Sequence, residues 1–137
     1  MRERGANSGL EQEPGLEAFE AMAQDAYLSI PGDLRRHVDG VVIRVADFPD
    51  GDTIGAMGLK SPFDLLGLYQ GISIERKSIT YPQGDVDMIF LYRRPILAYW
   101  QAMGGDLAHI VRHVLIHEIG HHFGFSDDDM ERLEAQR

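Results

Sequence analysis

The residues able to do chemistry crowd into one stretch, Asp106 to Phe123, where His109, His113, His117, Glu118, His121 and His122 stand among apolar side chains. Their spacing is helical: at about 100° per residue, Leu107, Ile110 and Val114 share a face with His117 and His121, while Leu115, Ile119 and Phe123 cover another. A helix apolar on two faces is buried, and imidazoles on its inward side must be hydrogen-bonded, paired or bound to something. His117-Glu118-Ile119-Gly120-His121 supplies a reason for them. Two imidazoles four residues apart lie one turn apart on the same side, so both reach one ion at about 2.0–2.1 Å. Glu118 projects beside that side and stays out of the ligand set. There it can take a proton from water whose pKa a metal lowers toward about 7. The chemistry encoded is metal-assisted hydrolysis with Glu118 as general base.

His109, His113, His117 and His121 are spaced by four, and each such step advances about 40° around the axis and about 6 Å along it. One ion therefore uses one adjacent pair. His113 and His117 enclose Val114, Leu115 and Ile116 with no carboxylate, so that pair lacks a base. His113 is expected beside the site or simply packed, and His109 and His122 in structural or solvent-facing positions. Gly124 can adopt positive φ, end the helix and swing the chain back, so that a residue shortly beyond approaches the metal from outside the helix. Asp127, Asp128 and Asp129 follow in a row. Ser126 reads as the N-cap of a last helix through Met130, Leu133 and Ala135, whose dipole favours acidic residues in its first turn without any metal. Asp127 and then Asp128 are the candidates for a third ligand.

These residues need a scaffold, and 137 residues with 44% hydrophobic content suffice for one globular core. Met1 to Glu13 carry few apolar side chains and are expected as a flexible tail, leaving residues 14–137 as a single domain. Leu16, Phe19, Met22, Ala23, Ala26 and Tyr27 recur at helical spacing until Ile30-Pro31-Gly32. A further helical turn is expected over Asp33 to Val38, a turn at Asp39-Gly40 and a strand over Val41 to Val45. Phe48 to Asp64 has no sustained period and reads as a long connection. Leu65 to Ile74 is strand material broken at Gly67 and Gly71, Tyr81 to Asp85 a turn, and Val86 to Tyr92 a strand. A helix follows to about Met103, Gly104-Gly105 breaks it, and Asp106 caps the histidine helix. The whole is α+β: a small mixed sheet packed on helices around a buried helix that carries the site.

Composition removes several alternatives. Thirteen Lys and Arg against twenty-two Asp and Glu leave a charge of -9, which repels phosphate backbones and anionic lipid heads, so nucleic acid and membrane surfaces are not expected partners. The longest stretch free of Asp, Glu, Lys and Arg is the eleven residues Pro95 to Gly105, short of the roughly 20 that span a bilayer. The charged residues before Pro14 do not describe a secretory signal, and the absence of cysteine excludes disulfides, thiolate metal sites and thiol nucleophiles. A cytoplasmic protein is expected.

The extended pattern His117-Glu118-x-x-His121-x-x-Gly124-x-x-Asp127, with Ser-Asp-Asp-Asp-Met at 126–130 and Leu-Leu-Gly-Leu-Tyr-Gln-Gly-Ile at 65–72, resembles the minimal zincin-like metallopeptidases of bacteria. The order of elements agrees with that family from about Leu16 onward. The resemblance implies a zincin-like fold, one zinc ion held by His117, His121 and Asp127, and Glu118 as general base. Only ten residues follow Asp127, too few for the methionine turn of metzincins or for a long downstream helix bearing a distant glutamate ligand.

The leading expectation is a zinc metallopeptidase acting on a peptide or protein, aligned as an added strand along an exposed sheet edge, either Leu66 to Gln70 or Val86 to Tyr92. His113, Tyr69 and Tyr92 are candidates for stabilising the oxyanion. The alternative is a zinc-containing module that docks and regulates a protein without cleaving it, against which an intact Glu118 argues. A metal-dependent RNA hydrolase is disfavoured by the acidic charge and by Asp127, where such enzymes place a third histidine.

Overall fold

The computed structural model describes residues 13–71 and 87–136. Most of the expected tail, the expected turn at Tyr81 to Asp85 and the expected strand residues Ile72 to Ile74 and Val86 lie outside the described residues. Glu13, the last residue assigned to the tail, pairs with Arg94 at 3.7 Å and bonds to Gln101.

Helix α1 (Leu16–Ser29) buries Phe19, Ala23 and Ala26, three of the positions that its apolar period selects. Pro31 then starts a short helix α2 (Gly32–Arg35), which tightens into a 3-10 turn over Arg36–Val38. Gly40, at φ 85°, turns the chain into strand β1 (Val42–Ala46). The segment expected as a featureless connection instead holds helix α3 (Gly51–Met57) and a 3-10 turn (Pro62–Asp64). Helix α3 is made by its ends. The Asp50 carboxylate accepts from Thr53 N at 2.8 Å, and Gly58 closes the last turn in the left-handed region at φ 66°. None of its residues is buried, so no apolar period could announce it.

Strand β2 (Gly67–Gln70) begins at Gly67 and ends before Gly71, the two positions where breaks were expected, and strand β3 (Met88–Tyr92) leads directly into helix α4 (Arg93–Met103). The sheet order is β1-β3-β2, with β1 parallel to β3 (Val42 opposite Met88) and β2 antiparallel to it (Gly67 opposite Leu91). Strand β3 is therefore the middle strand and offers no edge to a peptide, which removes one of the two expected edges. Gly104 and Gly105 end α4, and Asp106 caps helix α5 (Leu107–His122) by accepting from Ala108 N at 3.1 Å. Gly124, at φ 80°, reverses the chain as the sequence requires, and Ser126 and Asp129 form a capping box that starts helix α6 (Asp127–Ala135).

Helix α5 is the hub: α1, α4, α6, β2 and β3 all pack on it. Val111, Leu115, Ile116 and Ile119 are fully enclosed together with Phe19, Ile89, Leu91, Ile96 and Met130. The expected α+β architecture with a buried central helix is thus the observed one. Among the described residues no helix is long and apolar enough to cross a membrane.

Candidate metal centre

Helix α5 leaves one side uncovered by apolar contacts, and its histidines emerge there in order. His117 is partly buried, His113 is more open, and His121 is exposed at the last turn. The rings of His113 and His117 lie 4.0 Å apart between centroids, and those of His117 and His121 5.8 Å apart and perpendicular. The extra carboxylate on this side comes from α6. Met130 and Leu133 anchor that helix in the core, and Glu134, four residues after Met130, shares their inward side. Its Oε2 meets His113 Nδ1, and its Oε1 lies 3.5 Å from His117 Nε2. Donor atoms of His113, His117 and Glu134 all fall within 4.8 Å of one another, so these three could hold a metal ion. Among the described residues, His117, His121 and Asp127 do not form such a set.

Asp127, Asp128 and Asp129 occupy the first turn of α6, where the sequence places them. Asp127 and Asp128 are exposed, whereas Asp129 serves the capping box and pairs with Arg132. Hydrogen bonds from Ser126 and the nearby Arg132 hold the Asp129 carboxyl below its ordinary range. Glu134 was not singled out from sequence. The available signal was its place in the Met130, Leu133, Glu134 pattern, which puts a carboxylate on the buried side of an amphipathic helix.

The backbone around Glu134 is fixed by a buried guanidinium. Arg112 is 5% exposed and donates to the carbonyls of Glu134 at 2.8 Å, Gln136 at 2.7 Å and Ser29 at 3.3 Å, and to Ser29 Oγ at 2.9 Å. One side chain of α5 thereby ties down the C-terminal ends of α1 and α6 together.

Glu118 lies on the other flank of α5, against β2. Gly67 lets the strand come this close: a Cβ there would stand 3.0 Å from Val114 Cγ1 and 3.2 Å from Glu118 Cγ. Because Leu66 O accepts from Tyr92 N, the alternation of the antiparallel ladder turns the Tyr69 N–H away from β3. That N–H donates to the Glu118 carboxylate. Burial raises the Glu118 pKa, and the Tyr69 N–H and His121 oppose the rise without cancelling it. His117 is shifted the other way: burial and then the neighbouring His113 lower its pKa, against the pull of Glu134. Both shifts favour uncharged side chains, an imidazole with a lone pair for a metal and a carboxylate ready to accept a proton.

Tyr69 spends its hydroxyl on Asp87 Oδ2 at 3.1 Å and stacks its ring on His122 at 3.8 Å, which gives exposed His122 a structural contact. Tyr92 is buried, and burial followed by Asp50 and Glu118 raises its pKa. His109 is exposed on the first turns of α5.

Imidazole nitrogens with a carboxylate form a donor set that suits zinc, and the described residues around His117 supply both kinds of donor. No curated protein matches the chain. Residues 38–137, which include the sheet, the central helix and the last helix, match the family described as zincin-like metallopeptidase. With that match covering most of its length and a histidine-carboxylate cluster standing on the helix that bears the His-Glu-x-x-His pattern, the chain belongs to the zincin-like metallopeptidases.

Proposed function

We propose that this protein is a zinc-dependent peptidase whose ion is held by His117, His121 and a carboxylate from beyond Gly124, for which the sequence pattern nominates Asp127. The observation that carries the reading is Glu118: a carboxylate next to a ligand histidine, desolvated against a sheet strand and held by one backbone N–H. Zinc, when bound, polarises a carbonyl and acidifies water. Glu118 accepts the proton of the attacking water, its raised pKa bringing it nearer the operating pH, and then delivers that proton to the departing amine. The Tyr69 N–H fixes the Glu118 carboxylate through the transfer. Strand β2, where the described sheet ends beside Glu118, is the element along which an extended peptide would align.

Glu118→Gln tests the reading. It is expected to keep the fold and the zinc while abolishing hydrolysis of a peptide library, because the amide cannot accept the proton. Loss of zinc in that variant would make Glu118 a ligand and sink the mechanism. Zinc binding by the wild type with no turnover of any peptide would favour the regulatory module instead.

A further inference from the structure

We propose that Phe48 and Phe63 form a subsite that receives a large apolar side chain of the substrate, beside basic residues of the same peptide. This inference rests on the peptidase reading and narrows the substrate that the site would take.

The two rings pair in solvent. Phe48 is 38% and Phe63 48% exposed, yet they meet edge to face with centroids 5.1 Å apart. Neither belongs to the hydrophobic core cluster. Joined exposed rings form a contiguous apolar patch, which marks a binding surface in a way that single scattered side chains do not. The backbone beneath them is fixed. Asp47 pairs with Arg93 at 2.9 Å, Pro49 is buried, and Asp50 caps α3 just beyond. The Phe63 N–H donates to Ser61 Oγ at 3.1 Å within a capping box, and its turn packs on α4. Rings held on a rigid frame lose little freedom when a ligand arrives, so their contact area converts to affinity at small entropic cost.

The pair also stands at one end of the peptide edge. Phe63 lies four residues before Gly67, where β2 passes Glu118, a span of at most about 13 Å. A peptide added along β2 advances at the same rise per residue, so the side chain that reaches the rings belongs about two to four residues from the bond at Glu118. The segment meets the site from a second direction as well. The Tyr92 hydroxyl bonds to the Thr53 side chain of α3, with Asp50 and Glu118 both near enough to act on it.

Charge selects what accompanies the apolar side chain. Between Phe48 and Leu66, Asp50, Asp52 and Asp64 are set against Lys60, on a chain whose charge is -9. Arg93 is committed to Asp47, while Asp52 and Asp64 are exposed. Such a surface attracts cations and repels acidic peptides. The occupant that matches both features is an aromatic or large aliphatic side chain flanked by Lys or Arg.

The test uses the full chain loaded with Zn2+ and a mixture of short peptides randomised at every position, with cleavage sites read by mass spectrometry. Cleaved peptides are expected to be enriched in Phe, Tyr, Leu or Met at one position about two to four residues from the scissile bond, with Lys or Arg next to it. The best-cleaved sequence is then synthesised with that apolar residue and with Ala in its place. Phe48→Ala and Phe63→Ala are each expected to lower kcat/KM about tenfold on the apolar peptide, through KM with kcat nearly unchanged. On the Ala peptide each should change it less than about twofold, because the contact is already missing. Phe63→Leu, which keeps an apolar contact, recovers part of the loss. Asp52→Asn is expected to raise KM for the basic peptide about twofold, an effect that fades at high salt. Both rings are exposed, so thermal melting should place each variant close to wild type. Equal losses on the two peptides, a loss in kcat with KM unchanged, or cleavage without positional preference overturns the subsite and leaves the peptidase reading standing. A wild-type chain that cleaves no peptide removes that reading and the subsite with it.

Discussion

The two flanks of helix α5 handle ionisable groups by opposite means. On the α6 flank, His113 and His117 meet Glu134, so imidazoles and carboxylate answer one another across a helix–helix contact. On the β2 flank, Glu118 is desolvated against Gly67, with one backbone N–H of the strand and His121 opposing the rise in its pKa. The first arrangement converges several donors on one point, as paired helices allow, and the second makes a carboxylate's charge costly, as a close-packed strand does. The contrast also appears in packing: Gly120 admits Met130 of α6 on one flank, and Gly67 admits the helix to β2 on the other.

The most damaging way to break this arrangement is Arg112→Met. It takes the guanidinium donor from the partly buried contacts with the Ser29, Glu134 and Gln136 carbonyls, and the expected loss is about 3 kcal/mol in chemical denaturation, with α6 exchanging its amide hydrogens first. Gly120→Ala comes next. Its Cβ would land on Met130 Sδ, and overpacking outweighs the gain in helix propensity, for a net loss of about 1–2 kcal/mol accompanied by weaker zinc binding. Gly67→Ala is the matching probe of the other flank. The new Cβ would press on Val114, Glu118 and the Phe90 carbonyl, at a cost of about 1 kcal/mol, and should lower turnover while leaving zinc affinity unchanged. Equal effects of the two alanines on zinc affinity would erase the distinction between the flanks.

The smallest effect concerns pH in chelator-treated protein. A raised pKa in the folded state means that Glu118 contributes stability fully present below its ordinary 4.5 and lost as pH rises through the folded value. Glu118→Gln should therefore melt higher than wild type at pH 7.5, by about 2–4 °C, and the gain should vanish toward pH 4. His117 carries the opposite sign, because its lowered pKa gives stability that is present above the ordinary 6.5 and lost as pH falls. A melting gain for Glu118→Gln that grows on acidification would contradict the burial of that carboxylate.

Much of this architecture could be read from the chain before any fold was known. Helices α1 and α5 follow from their apolar periods, and the caps at Asp106 and Ser126 and the reversal at Gly124 follow from residue types with specific backbone roles. Helix α3 escaped because it packs nothing in the core, so only its caps mark it. The breaks read at Gly67 and Gly71 bound the observed strand, whereas the place of Gly67 against Val114 and Glu118 is a tertiary fact that no local pattern contains. At the candidate site, spacing within one helix identified His117, Glu118 and His121 as a group. Glu134 belongs to another helix, and its approach depends on how Met130 seats at Gly120.

The grip of Arg112 on α6 also bears on the order of events as the chain folds. Its bonds to Glu134 and Gln136 close over 22 and 24 positions, within a single helical hairpin. The surroundings of Glu118 depend instead on β2 and on the pairing of β3 with distant β1. Short loops close at less entropic cost and local contacts form faster than long-range strand pairings. His113, His117 and Glu134 are thus expected to gather before Glu118 meets its strand in a refolding chain.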